Sequence, residues 1–146
     1  YDQWVTMEAN KQWRFTPPTH VIVAFDAAIE QFFAAGGVEA RHKRYANNRK
    51  ILVDGLREMG FETLLADHLQ APIIVTFKMP ADKAFDFQAF YDALAGRGYV
   101  IYPGKLTVAP SFRIGCIGHL DDTVINGALD AIRATLKDLG VASGAP

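Results

Sequence analysis

A chain of 146 residues, half of them apolar, is long enough for one domain with a buried core and is not a disordered tail. Fifteen basic against sixteen acidic residues leave a net charge of -1, so no overall field draws nucleic acid or an anionic membrane, and neither is expected as a partner. The single cysteine, Cys116, excludes an internal disulfide and fits a reducing, cytoplasmic setting, and no run approaches the length of a membrane span.

In chain order, residues 1–14 mix polar and aromatic side chains without a clean period and predict irregular structure or a short helix. The chain starts at Tyr1 and meets Trp4, Trp13 and Phe15 at once, which predicts an upstream domain or second subunit to cover them. Pro17 and Pro18 hold the backbone extended and put Thr16 just ahead of a helix start, where a hydroxyl can cap the helix or meet an anion. Val21, Phe25, Ala28 and Phe32 recur at helical steps up to Gly36-Gly37, with Ile22, Ile29 and Phe33 alongside, so this helix is expected to be buried on more than one side. A second helix runs over about 38–59 on the seam Val38, Tyr45, Leu52, Leu56, Met59, its other face basic and read as solvated.

Strands are predicted at 61–65 and 73–79, paired antiparallel, and again at 99–102 and 112–117. Asp86 is the expected N-cap of a helix over 87–95, with Phe85 and Phe90 at staple positions. Asp121 or Asp122 caps the last helix, which carries Ile125, Leu129, Ile132, Leu136 and Leu139 to Gly140. After it, 141–146 has little to bury and is expected to fray. The order gives the α+β class, a small antiparallel sheet of about four strands covered by helices on one face.

One strand carries a charge in apolar surroundings. Alternation over 112–117 puts Phe112, Ile114 and Cys116 on one face and Arg113, Gly115 and Ile117 on the other. Gly115 leaves room beside the guanidinium, whose planar fork suits a small carboxylate, phosphate or phosphonate. An edge-strand arginine that discourages aggregation explains the same residue, and the strand by itself leaves both readings open. His20, His42, His68 and His119 lie in different elements, which argues against a metal site. Cys116 reads as an inert buried thiol, and nothing around Lys105 argues for an activated amine.

Phe15-Thr16-Pro17-Pro18-Thr19-His20, Gly36-Gly37-Val38 with Ala40-Arg41-His42, Ile101-Tyr102-Pro103-Gly104-Lys105 and Phe112-Arg113-Ile114-Gly115-Cys116-Ile117-Gly118 together resemble the 2-aminoethylphosphonate:pyruvate aminotransferases, in collinear order across nearly the whole chain. These are pyridoxal 5'-phosphate enzymes of the class V, fold type I group. The resemblance is to their C-terminal portion. It implies that 1–37 connects from an upstream large domain, that 38–140 is the small domain, and that the lysine binding the cofactor covalently lies upstream. It also implies that Arg113 holds the acidic group of the substrate and that Thr16 reaches the cofactor phosphate of the neighbouring subunit in a homodimer. The implied reaction moves the amino group of 2-aminoethylphosphonate to pyruvate, giving phosphonoacetaldehyde and alanine, and this chain alone is expected to be inactive. Cys116 and His119 depart from the more polar and the acidic residue expected there. Alanine:glyoxylate and serine:pyruvate aminotransferases share the fold, and a non-catalytic α+β module that grips a small acid through Arg113 is the alternative of another class.

Overall fold

The computed structural model describes residues 1–104 and 109–146. Lys105 lies outside the described residues. The chain divides into two compact units, Tyr1–Ala40 and Arg41–Pro146.

The first unit holds helices α1 (Asp2–Asn10) and α2 (Thr19–Ala34) and the start of α3 (Gly37–Glu58). The short-helix alternative at the start is thus the one adopted. The apolar period of α2 gives a helix where it was predicted, but the expected burial is corrected: α2 has no buried residue. Val21, Val23, Phe25 and Phe33 are each about two-thirds exposed. The helix is specified by its spacing, whereas its cover depends on partners that these residues do not supply.

The second unit carries the rest of α3, a 3-10 turn at Asp67–Leu69, strand β1 (Ile74–Lys78), helix α4 (Phe87–Gly96), strands β2 (Tyr102–Pro103) and β3 (Ser111–Gly115), and helix α5 (Asp122–Asp138). The sheet is antiparallel in the order β1-β3-β2. Three strands form where about four were predicted. The stretch at 61–65 does approach β1 antiparallel, through a bridge from Thr63 to Phe77, but stops at one bridge. Both predicted caps form: Asp86 accepts from the Ala89 amide and Asp121 from the Val124 amide. The predicted staple closes too, with the Phe85 and Phe90 rings 5.3 Å apart.

One face of the sheet is packed. Val75, Phe77, Phe112 and Ile114 meet Leu52 and Leu56 of α3, Phe90 and Leu94 of α4, and Ile125, Leu129 and Ile132 of α5 in one buried cluster. Phe112 is its centre: the rings of Phe61, Phe77, Phe87 and Phe90 lie 5.7 to 6.2 Å from it. Gly55 lets α3 come close to α5, since a Cβ there would run into the Leu129 side chain.

The tail is a second correction, for 141–146 does not fray. Val141 is buried, the Gly144 amide donates to Met59 O, and Ala145 O accepts from the Ala81 amide, both at 2.8 Å. Backbone partners hold a segment that has few apolar side chains to hold it.

Candidate functional site

Strand β3 positions the site because it is central and because its neighbours alternate about it. β1 pairs along its whole length, setting Thr76 against Arg113 and Val75 against Ile114, while β2 adds Tyr102 against Arg113. The edge-strand reading of Arg113 is therefore corrected: the residue stands in the middle strand. With Phe112 committed to the core, alternation sends Arg113 to the face that the helices leave open.

The guanidinium is half-buried and under-partnered. Nη2 donates to Pro103 O at 3.3 Å, and Nε is buried with no hydrogen-bond partner. Among the described residues no carboxylate pairs with it, although six other cations do form ion pairs with acids. A buried, unanswered donor on a fixed cation is unfavourable unless something supplies an acceptor, and an anion supplies several. Gly115, two residues on and on the same face, adds room. A Cβ there would meet nothing within 4 Å. A cavity of about 470 Å³ also borders Gly115, but it runs in among Leu52, Leu94, Ile114, Ile125 and Ile132 of the helix-packed face. That cavity is apolar, and Arg113 is not among its lining residues.

Thr16 belongs to the other unit. It is exposed, and its hydroxyl makes no hydrogen bond among the described residues. The expected capping does not occur: the N-cap of α2 is Pro18, and no side chain caps the helix. The hydroxyl is thus unengaged just ahead of a helix start, the fit required of a group that meets a phosphate, but a single hydroxyl is far from a complete phosphate cradle.

Cys116 behaves as the sequence reading held. It is fully buried, and burial pushes its thiol up to about 11, so it is protonated and unreactive at neutral pH. Among the described residues no group of three His, Cys, Asp or Glu side chains is placed to hold a metal ion, and no single helix is long and apolar enough to cross a membrane.

The sequence reading passed over Asn48. It is fully buried in α3 and donates through Nδ2 to Cys116 O at 3.2 Å and to Leu120 O at 3.0 Å. Its place four residues before Leu52 and three after Tyr45, on the apolar seam, was the available signal.

No protein-family model matches the chain. It is 52% identical over 141 residues to 2-aminoethylphosphonate–pyruvate transaminase 2 of Burkholderia lata, covering 97% of this chain and 38% of that protein. It is 54% identical over 142 residues to 2-aminoethylphosphonate–pyruvate transaminase of Burkholderia mallei, again 97% of this chain and 38% of the relative. Among solved structures it is similar to ureidoglycine–glyoxylate aminotransferase of Bacillus subtilis, with TM-score 0.80 at 19% identity over 97% of this chain and 37% of that one. It is also similar to pyridoxamine–pyruvate aminotransferase of Mesorhizobium loti, with TM-score 0.77 at 23% identity over 92% and 36%. The structural likeness establishes a fold shared with part of these aminotransferases. The chain spans about 38% of the length of the curated relatives it matches, and over 97% of its own length it is homologous to that part of the 2-aminoethylphosphonate–pyruvate transaminases.

Proposed function

We propose that this chain is the C-terminal, acid-binding portion of a pyridoxal-phosphate-dependent transaminase that moves the amino group of 2-aminoethylphosphonate to pyruvate, with phosphonoacetaldehyde and alanine as products. The carrying observation is Arg113: a half-buried guanidinium with a buried, unpartnered Nε on the open face of the sheet. Its fork matches two oxygens of a phosphonate or of a carboxylate, so one residue can orient the donor and the acceptor in turn. Central pairing in β3 fixes the Cα while the guanidinium keeps donors free, which is the preorganisation that positioning requires.

Pyridoxal phosphate, when bound, supplies the electron sink for amino-group transfer. The residues here fit one edge of its site. The Thr16 hydroxyl, exposed and unengaged, suits a phosphate oxygen, and we assign that contact to the cofactor of a neighbouring subunit in a homodimer. The remaining phosphate donors and the lysine for covalent attachment fall to parts of the longer protein outside these residues. A lone, fully buried, protonated thiol is compatible with the cytoplasm as the place of work.

In the full-length transaminase, Arg113→Ala is expected to lower kcat/KM for 2-aminoethylphosphonate by about two to four powers of ten, or roughly 3 to 5 kcal/mol for a buried ion contact. Arg113→Lys is expected to lose activity as well, because an ammonium lacks the fork. Unchanged steady-state kinetics in both variants would leave Arg113 a residue of the sheet and nothing more.

A further inference from the structure

Arg113 is paired on both sides, but the acid-binding reading depends also on the chain that leaves β3, and the sheet does little to fix it beyond Gly115. β1 pairs with β3 as far as Gly115, and β2 covers only Phe112 and Arg113. Beyond Gly115 a single bond, from the Cys116 amide to Ile73 O at 2.8 Å, continues the ladder. On the β2 side no ladder pairing continues from Ile114 onward among the described residues, and the cavity beside Gly115 opens there. A short central strand with one flank free past its third residue can twist or slide at that end unless something else grips it.

Three side chains of α3 supply the grip. Asn48 Nδ2 donates to the carbonyls of Cys116 and Leu120. The Tyr45 hydroxyl accepts from the Gly118 amide at 3.3 Å, and Arg44 Nη2 donates to Gly118 O at 3.1 Å. The Arg44 guanidinium also lies 5.4 Å from the centre of the Tyr45 ring, so the two side chains brace each other. Gly118 sits at φ +99°, a conformation glycine adopts without strain, which presents its amide and carbonyl to neighbouring residues of one helix. Every one of these four bonds falls within 116–120, the loop that leaves β3 and delivers Asp121 as the cap of α5. Asn48 therefore ties α3, the end of β3 and the start of α5 together through one carboxamide.

We propose that Arg44, Tyr45 and Asn48 are positioning residues for Arg113: they clamp the 116–120 loop to α3 and so hold the guanidinium, three residues upstream of Cys116, at the place where it meets the substrate's acid group. This rests on the acid-binding role of Arg113. A fork that grips two oxygens tolerates displacements well under 1 Å, so loosening the strand end weakens the grip without removing the charge. The clamp touches neither substrate nor cofactor in this scheme. Its loss should appear in anion binding, and leave cofactor retention alone.

The test uses the full-length transaminase with Tyr45→Phe, Asn48→Leu and Asn48→Asp, the last keeping the shape of the side chain while removing both donors. Four quantities are read: KM for 2-aminoethylphosphonate, the inhibition constant of methylphosphonate, kcat at saturation, and amide hydrogen exchange over 116–120. Both Asn48 variants are expected to raise KM and the methylphosphonate constant about tenfold, and Tyr45→Phe about threefold, with kcat changed less than about threefold and the cofactor absorbance retained. Exchange at the Gly118 amide should quicken in step. Tyr45→Phe removes one surface-side acceptor, so it reports even where the Asn48 variants do not fold. Faster exchange at Gly118 with KM and the methylphosphonate constant unmoved would overturn the inference, and so would a fall in kcat with KM unchanged. Should Arg113→Ala itself leave KM unmoved, the failure belongs to the acid-binding reading.

Discussion

Arg113 in β3 and Cys116 just past the strand's end stand three residues apart and face opposite ways, and their chemistry diverges because of that. Cys116 faces the core, where desolvation holds the thiol protonated, and Arg113 faces the open side, where its charge keeps access to water and anions. Alternation made this legible in the residues alone, since Phe112 and Ile114 could only face inward. What was not legible was that β3 is central: the strand predicted at 99–102 forms only at Tyr102–Pro103, and it pairs with Phe112 and Arg113 through the very proline expected to break it. The buried thiol carries its own prediction. Iodoacetamide at pH 8 should label Cys116 in the folded chain at least about a hundredfold more slowly than in denaturant, because both thiolate fraction and access are reduced. Fast stoichiometric alkylation of the native protein, followed by mass spectrometry, would show the thiol to be exposed and the inward face of β3 to be misassigned.

Elements in the second unit were predicted well where local rules and burial agree, and less well where backbone alone decides. The caps at Asp86 and Asp121 and the seam of α5 follow from side-chain types. The held tail does not, because its partners are backbone groups of distant residues and one carboxylate. Asp82 accepts from the amides of Ala84 at 2.9 Å and Ala142 at 2.8 Å, and these backbone donors hold its carboxyl below the ordinary carboxylate value. A folded pKa below the unfolded one stabilises above the unfolded value and is lost as pH falls through the folded one. The tail should therefore stay docked at neutral pH and loosen only below about pH 4. An amide titration of Ala142 and Gly144 by NMR should show that transition in the parent and none in Asp82→Asn. A tail unchanged down to pH 2, or one that titrates alike in both proteins, would mean that Asp82 does not hold it.

At the scale of the molecule, the two units differ in how far they satisfy themselves. Residues 41–146 enclose a core of phenylalanines and aliphatics drawn from α3, α4, α5, β1 and β3, whereas 1–40 presents Trp4, Trp13, Phe15, Val21, Val23, Phe25 and Phe33 at least half exposed. The helical period of α2 was legible, but period reports which side chains align and is silent on what covers them. Relatives of which this chain spans 38% have other sequence with which to cover such a face. The expected behaviour of the isolated 146-residue chain follows from that contrast. Apolar area of this extent in water favours association, so the chain should self-associate at micromolar concentrations, while residues 38–146, which keep the core cluster, should remain monomeric and unfold cooperatively. Size-exclusion chromatography with light scattering separates the outcomes, and circular dichroism on heating reports whether the shorter chain keeps its packing. Monomeric behaviour of the full 146 residues, with Trp4 and Trp13 emission unchanged on dilution, would show that the apolar face of the first unit needs no cover. Association of 38–146 by itself would instead place a sticky surface on the second unit, where the apolar cavity beside Gly115 is the first candidate for cover.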